Sequence, residues 1–138
     1  NKSINFISAK VKIVNKDSKI TSTMGKNWNY DKLWLNIQIA HPGALHKKKL
    51  FENFGKFDKK FKIAGDHDFL IRAGGSITPQ FLDEIIIEMQ DGGISKKYPY
   101  KAFFESFNAI SKNINFGKIK GIIFLLLSIF KYNLKKFI

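Results

Sequence analysis

The sequence predicts an α/β fold, and three observations carry that prediction. Apolar and polar side chains alternate along residues 4–14, and a β-branched run, Ile85-Ile86-Ile87, sits inside 80–90. Apolar residues at helical spacing fill stretches between and after these two, the alternation expected of packed strand and helix layers. With 138 residues, 44% hydrophobic and 14% aromatic, the chain has enough apolar material for one real core, which excludes a disordered segment.

Taken in order, residues 4–14 (INFISAKVKIV) read as a strand, Asn15 to Ser18 as a turn, and 19–23 as its hairpin partner. Gly25 to Asn29 is a loop. Residues 30–40 place Leu33, Trp34 and Ile37 at helical spacing and predict a helix. Pro42-Gly43 breaks it, and Ala44 to His46 is short and extended. Lys47 to Phe54 predicts a short basic helix that Gly55 ends with a left-handed cap. Residues 66–73 predict a second helix stopped by Gly74-Gly75, and 80–90 a buried strand. After the Gly92-Gly93 loop, Pro99 starts a helix running to about Ile110.

The final segment, 117–138, has an uninterrupted apolar core of only Ile122 to Leu127. That falls far short of the ~18 to 20 residues a spanning helix needs. Lys120, Ser128, Lys131 and Lys135 fall on one arc, with Phe124 intruding, so the segment predicts an amphipathic tail that leaves the globule. Its lysine edge suits an anionic membrane surface; packing on the core or on a partner is the competing reading. The expected division is 1–97 for the main α/β portion and 98–138 for the C-terminal helices.

The formal charge is +13, from 24 Lys and Arg against 11 acids. Such a charge favours polyanions, whether lipid, phosphorylated substrate or nucleic acid. Only Arg72 is arginine, so the forked side chains that read base edges are nearly absent. Lysine–phenylalanine interleaving at Lys56-Phe57 and Lys60-Phe61-Lys62 permits single-strand tracking, but no nucleic-acid partner is expected. Cysteine is absent, excluding disulfides and thiolate zinc sites, and no apolar leader follows Asn1.

The chemistry concentrates in 41–72, where Asp66 and Asp68 stand two residues apart after Gly65. An Asp at the mouth of a helix can be a general base or a metal ligand. It can equally be the N-cap of helix 67–73, and a helix N-terminus lowers the basicity of a carboxylate. Both readings stay open on the residues alone.

The order His41, Leu45, Leu50-Phe51, Gly55, Phe57-Asp58, Phe61, Ile63-Ala64, Asp66, Asp68-Phe69, Arg72 resembles the second half of family 2 glycosyltransferases. Gly92-Gly93-Ile94-Ser95 looks like the segment that closes their catalytic region. The resemblance covers roughly residues 5–96. It implies the C-terminal portion of a GT-A mixed-sheet fold followed by C-terminal helices. It also implies an inverting transferase that moves a sugar from a nucleotide-sugar donor to a glycan or lipid-linked acceptor in bacterial surface polysaccharide synthesis.

By that resemblance Asp66 is the catalytic base. Substrate-binding roles go to His41, Asp68, Arg72, Gly92, Gly93 and Ser95, with Asp68 and Arg72 also steadying the helix that carries the base. His46 and His67 are expected to be structural. Asp66-His67-Asp68 also spells the family's DxD metal signature, but its place after the GxFD segment assigns it to the base segment. No metal ligand is therefore expected here. The divalent cation, Mg or Mn, belongs with an N-terminal half that the resemblance places upstream of this chain. The implied location is cytoplasmic, peripheral on the inner membrane face. The alternative is a noncatalytic transferase remnant or a basic binding module.

Overall fold

A computed structural model describes residues 3–37 and 39–137, the side chain of Phe137 excepted. Gln38, inside the helix expected over 30–40, and Ile138, at the end of the tail, lie outside the described residues, as do Asn1 and Lys2.

The sheet is built around β1 (Phe6–Val14), whose side chains are buried or half-buried along its whole length. β2 (Ile20–Met24) returns antiparallel along Val11–Val14, and β3 (Leu45–His46) pairs antiparallel with Phe6 and Ile7. β4 (Pro79–Gln90) runs parallel to β1 over its full length, so it must lie on the side of β1 opposite β2 and β3. The result is a mixed four-stranded sheet. The first turn follows from Asn15, whose Oδ1 accepts the N–H groups of Asp17 and Lys19, with Ser18 left-handed at φ 59°.

A parallel strand needs a crossover, and here α1 (Lys48–Phe54) and α2 (Gly65–Ala73) supply it. α2 is the hub of the core. Phe69, Leu70, Ile71 and Ala73 pack with Phe6 of β1, Leu50 of α1 and the loop residues Leu33 and Ile39. Burying each large side chain contributes about 1.5–3 kcal/mol. After β4 come α3 (Ile94–Lys97), α4 (Pro99–Asn113) and α5 (Gly117–Phe137). α4 gives Ala109 and Ile110 to the same core and α5 gives Phe124, so packing continues across the boundary expected at 97/98. The fold is therefore mixed α/β with C-terminal helices.

Four expectations change. The helix over 30–40 shrinks to one 3-10 turn, Tyr30–Lys32, capped by Asn29 through the Lys32 N–H. Beyond Asn36 the β-branched Ile37 and Ile39 and the nearby Pro42 disfavour helix, and Ile39 is buried from an irregular backbone. β4 is an edge strand rather than a buried one, with Ile85 and Ile86 about half exposed at 48% and 50%. It pairs with β1 alone among the described residues, and the acids Asp83, Glu84 and Glu88 lie in the same stretch. The tail does not leave the globule: α5 returns along α4. Gly55 has φ 77° but ψ 168°, an extended mirror conformation rather than a left-handed helical cap.

Candidate functional site

α2 begins at Gly65 with Ala64 as its N-cap, so Asp66 already sits inside the first turn and is not the cap. The capping alternative therefore fails. Asp66 Oδ1 accepts only the adjacent His67 N–H (2.8 Å) among the described residues. Asp66 is half-buried and lines a cavity of about 280 Å³ together with His41 and Ser95. The apolar walls include Val11 of β1, Ile39, Ile63 and Ala102 of α4.

His41 opens the 3-10 turn His41–Gly43 that Pro42 favours. Its Nε2 is buried with no hydrogen-bond partner among the described residues, a group that a ligand hydroxyl can satisfy. Burial lowers its pKa and the nearby Asp66 charge pulls the other way, leaving the ring readier to lose its proton than a free histidine. The His46 ring meets those of Phe6, Phe51 and Phe69 edge-on or tilted, with centroids within 5.4 Å, and burial, helped by His41, pushes its pKa down to about 4. His67 is fully buried, and its Nε2 donates to the Leu33 carbonyl at 2.9 Å. Both belong to the packing, the role expected of them.

Asp68 and Arg72 are not brought to the cavity. Asp68 is 1% exposed; its Oδ2 accepts from Arg72 Nε (2.8 Å) and its Oδ1 from Asn113 Nδ2 (3.1 Å). Arg72 also donates to the carbonyls of Phe54 and Lys56, on either side of Gly55, and lies over the Phe69 ring. The guanidinium thus ties off the end of α1, which is why a positive-φ glycine stands there. Of the two roles expected of this pair, the structure shows the steadying one and not the substrate-binding one, because their polar groups are turned to the protein.

Gly92 and Gly93 lie in an exposed loop held by Asp91, whose carboxylate accepts the Gly92 N–H and pairs with Lys96. Neither glycine lines the cavity; Ser95, two residues on, does. Of the seven expected site residues, the structure assembles His41, Asp66 and Ser95.

One residue was missed. Glu105 of α4 is 9% exposed, and its Oε2 accepts the N–H groups of Ile63 (2.7 Å) and Ala64 (3.0 Å). Burial pushes its carboxyl up, but those N–H groups, that of Lys62 and the Lys101 charge together hold its pKa below the usual range. It fixes the backbone leading into Asp66. The sequence signal was an acid on the same helical face as Ala102, Ser106 and Ala109.

The 66–68 segment does not suit a metal. Both oxygens of Asp68 are engaged, leaving one carboxylate, and the described residues contain no group of three or more His, Cys, Asp or Glu able to hold an ion. A larger depression of about 750 Å³ adjoins the cavity at Met24 and Ile37. It is lined by Lys10, Lys26, Lys32 and Trp28, and its one carboxylate, Asp83, is paired with Lys10. No unpaired carboxylate or imidazole lines it, so the candidate chemistry stays with Asp66. Compared with protein-family models, curated proteins and solved structures, the chain matches none.

Proposed function

We propose that this chain is the acceptor-side part of an inverting glycosyltransferase of the GT-A type, acting on a glycan or lipid-linked acceptor. The observation that carries the reading is the contrast inside 66–72. One carboxylate faces a cavity beside an unpartnered imidazole, while its neighbour and the arginine brace the helix from behind. An acceptor hydroxyl held between His41 and Asp66 attacks the anomeric carbon. The carbon–oxygen bond to the nucleoside diphosphate breaks, the diphosphate leaves with that electron pair, and the hydroxyl proton passes to Asp66. Configuration inverts because attack and departure are on opposite faces. In this reading the donor diphosphate and its divalent cation, Mg or Mn, are held mainly by an upstream half of the enzyme.

The test is Asp66→Asn in the whole enzyme. Transfer should fall about 10²–10⁴-fold while sugar-nucleotide binding stays nearly intact. Because Asp66 is not the helix cap, the variant should fold. Retention of transfer, or failure of the parent enzyme to bind any sugar nucleotide, would sink the reading in favour of a noncatalytic remnant.

A further inference from the structure

We propose that the outward face of α5 is a docking surface for an anionic lipid bilayer. At about 100° per residue, Ile119, Ile122, Ile123, Leu126, Phe130 and Leu134 share one broad arc of the helix. All six are exposed, Leu126 and Phe130 at 63% and 64%. The opposite arc carries Gly117, Gly121, Phe124 and Ser128.

Packing pins the rotation of the helix. A Cβ on Gly117 would come 2.4 Å from the Ile110 carbonyl oxygen, and one on Gly121 would come 2.6 Å from Ser111 Oγ. Only the glycine side can lie this close to α4, so the apolar side must point away. A hydroxyl–amide bond from Tyr100 to Asn133 and the edge contact of Tyr100 with Tyr132 lock the far end.

The occupant follows from charge. α5 holds five lysines and no acid. Lys118 and Lys136 border the apolar arc on one side, and Lys120 and Lys131 on the other. A second copy of the helix would set lysine rims against lysine rims, whereas anionic headgroups complement both rims while acyl chains cover the arc. No described helix is long and apolar enough to cross a membrane, so the helix lies in the interface plane.

The test is co-sedimentation of the whole chain with vesicles of phosphatidylcholine alone or mixed with phosphatidylglycerol. Binding should require the anionic lipid and weaken with salt. Lys118→Gln and Lys131→Gln should each lower partitioning about fivefold. Leu126→Gln with Phe130→Gln should lower it more than about tenfold without changing the circular dichroism, since both side chains are exposed. Equal binding to neutral vesicles, no binding to either, or a dimer that the Leu126/Phe130 variant dissociates would overturn the proposal. Asp66→Asn should leave vesicle binding unchanged, so loss of the catalytic reading and loss of this one are separable.

Discussion

Two stretches of the chain reverse what their hydropathy suggests. Residues 65–72 carry two aspartates, a histidine and an arginine, yet His67 and Asp68 are among the most buried side chains of the molecule. Residues 85–87 are three consecutive isoleucines on an edge strand, yet Ile85 and Ile86 lie half exposed and Ile87 is only partly buried. The difference lies in what the surroundings supply. Around α2, backbone carbonyls and Asn113 engage Arg72, both oxygens of Asp68 and one ring nitrogen of His67, and the aromatic rings of Phe51, Phe57 and Phe69 fill the space between. Around β4 only one neighbour strand is present among the described residues. Apolar sequence yields burial only where a second layer covers it, whereas polar sequence yields burial wherever its partners are complete.

The sharpest way to break this contrast is to remove a partner from the buried side. Arg72→Ala would leave the Asp68 carboxylate 1% exposed with Asn113 as its sole remaining side-chain donor. Stranding a buried charge costs about 3–5 kcal/mol, a large share of the total stability of a domain this size. The urea midpoint should drop accordingly. Arg72→Lys should recover only part of the loss, because an ammonium cannot fork between Asp68 and the Phe54 and Lys56 carbonyls. Equal stability of the alanine variant would mean that the network does not hold α1 to α2.

This network also shows how much of the molecule was legible beforehand. The strand 4–14, its hairpin, the short helix before Gly55 and the helix over 66–73 follow from local signals, and the structure has them within a residue or two. Placing Asp66 on a helix facing a site needed only the motif order. The same order already set Asp66 apart from Asp68, but the partners of the second aspartate needed tertiary contacts, because Arg72 and Asn113 reach it from four and 45 residues away. Glu105 was hidden for the same reason, since its partners lie in another segment. The 30–40 helix failed because the helical spacing of Leu33, Trp34 and Ile37 is a coincidence: Leu33 and Ile39 reach one core from a turn and an irregular stretch of backbone. The uncovered β4 could not be inferred from its composition, since covering is a property of the neighbours.

A second, smaller test uses protons. His46 is held among Phe6, Phe51 and Phe69 with its pKa lowered to about 4, while the unfolded chain takes up its proton near 6.5. Between those values the unfolded state binds more protons, so stability is full above about pH 6.5 and falls as pH drops toward 4. His41 and His67 shift the same way and add to the slope. Thermal melts across this range should show the decline, and His46→Phe should make it shallower. An unchanged slope would place the lost stability on the other two rings.

The smallest effect is the most informative about the exposed side. Ile86 is 50% exposed in the middle of β4, and threonine keeps its β-branch and its preference for extended backbone. If the strand faces solvent, Ile86→Thr should change stability by no more than about 0.5 kcal/mol, the range of ordinary surface substitutions. Truncation at a fully buried ring such as Phe69 should instead cost about 3–5 kcal/mol. The two values measured on one urea axis test the contrast directly. A loss above about 1.5 kcal/mol at Ile86 would show that this face is covered in solution. The three isoleucines would then be core residues after all, and the rule that burial follows the covering layer would hold with the layer supplied by another molecule.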